Sequence, residues 1–133
     1  MQRKLLSLAA LAAASLSAQT LDFEVYRAKV EPIFLKKRPG HARCVACHSA
    51  SNSAFRLQPL PEGVTGWTAE QSKQNFESVS RLVKAGDIAG SRLLKHPLAE
   101  EAGGDDFHGG GQQFKSKSDP DWQAIADWVN GKK

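Results

Sequence analysis

Arg43-Cys44-Val45-Ala46-Cys47-His48 is the stretch on which the reading of this chain turns. It spells C-x-x-C-H, the attachment signature of a c-type haem. Two thiols three positions apart come to one face of a single helical turn. Each can then form a thioether with one vinyl group of a porphyrin, and the next residue, His48, can offer an imidazole nitrogen to the iron. The motif thus assigns Cys44 and Cys47 as covalent anchors and His48 as the proximal axial ligand.

Three other readings of the same letters fare worse. A redox dithiol would open a helix after a strand in a thioredoxin-like unit, and no alternating β-α pattern surrounds Cys44. Structural zinc wants four protein ligands, yet the chain has two cysteines and four scattered histidines. A C-x-x-C disulfide is a tight, easily reduced loop.

The beginning of the chain agrees with the haem reading. Met1-Gln2-Arg3-Lys4 precedes an uncharged, Leu- and Ala-rich run from Leu5 to Ala18. This is the pattern of a cleavable signal peptide, expected over residues 1–18, with the cut after Ser17 or Ala18. The run is short for a membrane span, which takes roughly 20 residues, so no transmembrane span is expected in the mature chain. Haem thioethers are completed outside the cytoplasm, which places the mature protein in the periplasm or otherwise beyond the inner membrane. Residues 19–133 form one expected monohaem domain of 115 residues, with 16 basic against 14 acidic side chains. That balance gives no support to nucleic-acid binding, which draws on a pronounced basic face.

Beyond the leader the chain reads as all-α: three to five helices with long loops around one covalently bound haem. Phe23, Tyr26, Val30, Ile33 and Phe34 recur at helical spacing, and Pro32 inside that run predicts a kink or two short helices. Lys36-Lys37-Arg38-Pro39-Gly40 ends it. Residues 49–66 are loop, with Phe55, Leu57, Leu60 and Trp67 turned inward; Trp67 is expected to pack, a bond to a haem propionate being the alternative. Thr68 caps a further helix carrying Phe76, Val79, Leu82 and Val83 and closed at Gly86. A short helix follows over Ser91–His96 and stops at Pro97. Residues 99–117 are irregular and glycine-rich. Ser118-Asp119-Pro120-Asp121 starts the last helix, which buries Trp122, Ile125, Ala126 and Val129 and carries Trp128 on a neighbouring stripe.

A helix before C-x-x-C-H, a wrapping loop, a glycine-rich ligand loop and an aromatic terminal helix together resemble the class I cytochrome c fold over nearly all of residues 20–131. Val30-Glu31-Pro32-Ile33-Phe34 and the His-Gly-Gly-Gly stretch before Asp-Trp…Trp-Val-Asn-Gly are similar to the small cytochrome c-like domains of Planctomycetes and Acidobacteria. The resemblance implies one haem c and a crossing of the first and last helices. Phe23, Tyr26, Val30 and Phe34 would then meet Trp122, Ile125 and Val129.

Cytochromes of that fold usually place Met opposite the histidine, and here the sequence departs from them. Its single Met is Met1, within the leader. His108, 60 residues after His48 and flanked by glycine, is the first candidate for distal ligand. His96 is the alternative, with helix capping or solvent contact as its other reading; His41 should stay on the proximal side, and an open or Lys-ligated site remains a further possibility. Two imidazoles would give a low-spin iron of lower potential than a His/Met pair.

The function this supports is one-electron transfer with redox partner proteins of the cell envelope and no substrate chemistry of its own. Arg27, Lys29, Lys36, Lys37, Arg38 and Arg43 either steer an acidic partner or are solvated charges at a helix end. Glu100, Glu101, Asp105 and Asp106 would form an opposite pole. The competing functions are a gas sensor or enzyme with an open or displaceable sixth site, and a haem subunit of a larger oxidoreductase complex.

Overall fold

The computed structural model describes residues 19–105 and 107–133. The leader expected over residues 1–18 lies outside the described residues, as does Asp106. Among the described residues the protein is all-α, without strands, and no helix is long and apolar enough to cross a membrane.

The first helical run covers positions 23–35 in three pieces: α1 (Phe23–Val25), a π-helical segment (Tyr26–Val30) and α2 (Glu31–Leu35). Asp22 caps it, its side chain accepting from the Val25 N–H at 3.0 Å. Pro32 falls in the first turn of α2, so the run is divided into short pieces as the sequence led one to expect, with a π segment between them. A proline ring collides with the carbonyl four residues back, and the wider π turn just before it makes room. Tyr26 and Val30 are fully buried on this segment, and Ile33 and Phe34 follow on α2.

The attachment motif forms a helix of its own, α3 (Cys44–His48). The chain then runs as loop to α4 (Ala69–Ser80), which opens with a reciprocal capping box between Thr68 and Gln71. This helix is shorter than the sequence suggested: Leu82 and Val83 lie beyond its end, and Gly86 turns at φ +79 after them. The loop before it is tied down. The Leu57 N–H donates to the His48 carbonyl at 3.0 Å, and the Gln58 N–H to Asn75 Oδ1, inside α4, at 2.7 Å. Trp67 donates its indole N–H to the Gln58 carbonyl at 2.8 Å, so its polar end serves the loop and is not free for a propionate.

Next come α5 (Arg92–Lys95), a 3-10 turn (Glu100–Ala102) and α6 (Pro120–Val129), capped by Asp119. Helix α6 lies against the π segment, which is the expected meeting of first and last helices. Its chief agent is the residue assigned to a side stripe. Trp128 is 1% exposed, its ring centre is 5.5 Å from that of Tyr26, and its indole N–H donates to the Asp22 carbonyl at 2.9 Å. Trp122 is held in turn by the Leu94 carbonyl at 3.0 Å, fastening α6 to α5.

Lys36 and Arg38 also correct the sequence reading. Both pair with the start of α6: Lys36 with Asp121 at 2.8 Å, and Arg38 with Asp121 at 2.5 Å and with Asp119. They join two elements of the fold and are not free to steer a partner.

Candidate functional site

The two cysteines line a cavity of about 360 Å³, within the range of about 300–1,000 Å³ common for ligand sites. Ile33 and Phe34 of the first helical run, Leu82, Leu93 of α5 and Ile125 of α6 supply much of its apolar lining. The first helical run, α5 and α6 thus each give the cavity part of a buried face. Cys44 is partly buried and Cys47 exposed, both as free thiols. Burial pushes the Cys44 thiol up to about 11, so it stays protonated at neutral pH.

His48 closes α3 with its ring against Phe55, centres 4.3 Å apart, and Phe55 rests edge-on against Phe34 at 5.1 Å. The His48 Nδ1–H donates to the Phe55 carbonyl at 2.9 Å, with Ser53 Oγ at 3.1 Å. Binding one ring nitrogen to a carbonyl fixes the tautomer and leaves Nε2 as the free lone pair, the usual support of a metal-ligating histidine. Burial also holds His48 below the ordinary imidazole range, favouring the neutral form that a metal requires.

Opposite lies the loop between Leu98 and Phe114. Its neck is closed by backbone bonds from Ala99 to Phe114 (2.8 Å) and from Gln113 to Pro97 (2.9 Å). His108 sits in this loop, and its Nδ1–H donates to the Gly111 carbonyl at 2.6 Å, again leaving Nε2 unengaged. Gly111 accepts that role at φ +82, a conformation open mainly to glycine. The rings of His48 and His108 have centres 6.2 Å apart and planes within 26°. Metal–imidazole bonds of about 2.0 Å on each side separate two trans rings by roughly this distance.

His96 lines the cavity too, beside His108, and its Nδ1–H donates to Asp105 at 3.1 Å. It stands at the C-terminal cap position of α5, and its side chain, about one-third exposed, is tied to Asp105. Asp105, expected at an acidic pole, is instead committed to His96 and to Lys95 at 3.5 Å. His41 is no part of the cavity wall; it lies by Gly111, at the end of the distal loop.

The donor set is compatible with a haem. No group of three or more His, Cys, Asp or Glu side chains able to hold a metal ion occurs among the described residues. A bare ion would thus lack its shell, whereas a porphyrin supplies four nitrogens and needs only two axial ligands. Among the described residues the lining includes Arg43 and Arg92 and no carboxylate, which suits a ligand carrying two propionates. Gln113 is 7% exposed and its Oε1 is buried without a partner among the described residues. Gln113, Arg92 and Asp105 were missed from sequence, because none stands in a motif; Asp105 could have been suspected only from the Gly103-Gly104 turn that precedes it. No known family model, curated protein or solved structure matches this chain.

Proposed function

We propose that the protein is an exported monohaem c-type cytochrome that carries one electron at a time, on a class I cytochrome c-like fold. The observation that carries this reading is the spacing of His48 and His108: two imidazoles with ring centres 6.2 Å apart, each with Nδ1 bound to a carbonyl, in a largely apolar cavity that both thiols of C-x-x-C-H also line. Cys44 and Cys47 would hold haem c through two thioethers. His48 and His108 would be its axial ligands, and Arg43 and Arg92 would balance its propionates. Haem c supplies the reversible one-electron couple.

The chain's own part is to keep that couple closed and low in potential. Imidazole on both faces favours the oxidised iron more than a thioether does. The Phe55 carbonyl makes His48 a stronger base and fixes its ring. Ile33 and Phe34 of α2, Leu93 of α5 and Ile125 of α6 line the cavity and would keep water from the bound group, while exposed Cys47 would mark the edge at which a partner of the cell envelope exchanges electrons.

The test is the mass and the spectrum of the mature protein from a host competent in cytochrome maturation. The expected result is one haem added to the polypeptide mass, a low-spin spectrum without a methionine charge-transfer band, and only slow carbon monoxide binding by the ferrous form, limited by release of the sixth ligand. Unmodified mass ends the proposal. The second reading, a sensor or enzyme with a displaceable sixth ligand, draws on the exposed glycines beside His108; rapid carbon monoxide binding would select it.

A further inference from the structure

The cavity wall holds an imidazole that the ligand pair does not use. His96 ends α5 and meets His108 edge-on, with ring centres 5.2 Å apart and planes at 81°. Edge-to-face packing of this kind resists rotation of either ring. His96 is itself well anchored. Leu93 and Leu94 before it and Leu98 and Ala99 after it are buried, and its Nδ1–H is bound to the Asp105 carboxylate at 3.1 Å.

Asp105 is placed with equal care. Its N–H donates to the Lys95 carbonyl at 3.3 Å, and the chain reaches it through Gly103, at φ +101, and Gly104. A Cβ on Gly104 would lie 1.8 Å from the Leu98 carbonyl oxygen, so only glycine lets this turn close onto α5. His108 is anchored from within its own loop and not from α5. Its Nδ1 bond goes to Gly111, three residues on, its glycine neighbours are exposed, and adjacent Phe107 is 72% exposed.

We propose that His96, held by Asp105 across the Gly103-Gly104 turn, is a positioning residue that sets the rotation of the His108 ring and keeps it pressed into the cavity. This rests on the haem reading above. It gives the His96–Asp105 pair a purpose that neither ligation nor capping supplies: the ligand on the exposed loop is braced by a neighbour set between buried residues. Bracing governs how readily an outside ligand replaces His108, and the angle between the two axial imidazole planes.

The experiment compares wild type, His96→Ala, His96→Phe, Asp105→Asn and His108→Ala, each verified by mass to carry one haem. The readouts are the ferric EPR spectrum and the rate of carbon monoxide binding after reduction. His96→Ala and Asp105→Asn are expected to stay low-spin, with shifted g-values and carbon monoxide binding about 10- to 100-fold faster than wild type, as for other supports of a metal-bound histidine. His96→Phe, which keeps an edge against His108 but loses Asp105, should fall between. Unchanged g-values and rates in His96→Ala and Asp105→Asn would overturn the proposal. So would a high-spin His96→Ala beside a low-spin His108→Ala, since His96 would then be the ligand. If His96→Ala fails to accumulate, Asp105→Asn and His96→Phe decide the matter. Failure of the haem reading is distinct: wild type itself would then lack the added mass.

Discussion

Replacing Trp128 by alanine tests whether the two ends of the chain clasp one another. The indole is 1% exposed, lies between Tyr26 at 5.5 Å and Phe76 at 6.2 Å, and donates to the Asp22 carbonyl at 2.9 Å. Burying a large aromatic withdraws about 150–250 Å² from water, worth about 4–6 kcal/mol at about 25 cal/mol/Å². Alanine keeps the Cβ and the neighbours partly relax, so the cost should be about 3–5 kcal/mol, with about 1 kcal/mol of it from the hydrogen bond. Against a domain stability of about 5–15 kcal/mol, this is a large share, and it lowers the melting temperature by about 15 °C. Trp128→Phe keeps most of the ring and should cost about 1–2 kcal/mol. Urea unfolding of the haem-loaded protein, followed by far-ultraviolet circular dichroism, measures both. A Trp128→Ala protein within about 1 kcal/mol of wild type, the range of surface changes, would refute the packing of α6 on the first helical run.

Three further outcomes follow from contacts elsewhere. Arg38→Ala takes the guanidinium from Asp119 and leaves Asp121 with Lys36 alone, both carboxylates at about one-fifth exposure or less, and removes a cation 4.8 Å from the Phe114 ring centre; it should cost about 2–3 kcal/mol, whereas Lys36→Ala, at 56% side-chain exposure, should cost less than about 0.5 kcal/mol in the same unfolding assay. Gly104→Ala drives a methyl into the Leu98 carbonyl and should cost at least about 1–3 kcal/mol, with faster carbon monoxide binding, because the displaced turn carries Asp105 away from His96. Cys44→Ala and Cys47→Ala should each retain one haem through a single thioether, visible in the mass after denaturation, while the double variant should release its haem under the same conditions.

The sequence made some of this architecture plain and hid the rest for physical reasons. C-x-x-C-H and the 3–4 spacing of Phe23, Tyr26, Val30 and Phe34 are local signals, and the helices they predict are present. Pro32 was legible as a disturbance but not as a π turn, since that choice depends on what Tyr26 and Val30 pack against. Trp128 looked peripheral because periodicity within α6 cannot tell how far a second face is covered by the first helical run. Lys36, Arg38 and Asp105 looked like surface charges because their partners lie far along the chain or across a turn. His108 was singled out by its glycines and by the absence of a mature methionine. That it faces His48 while His96 stands behind it depends on the loop neck between Leu98 and Phe114, which no short-range pattern reveals.

The central claim is that one iron is clasped between His48 and His108, and the ferric EPR spectrum of wild type beside His108→Ala tests it most directly. The account predicts a low-spin signal of two imidazoles in wild type and a high-spin signal, with rapid carbon monoxide binding after reduction, in His108→Ala, both proteins carrying the mass of one haem. A His108→Ala protein whose low-spin spectrum matches wild type would contradict it.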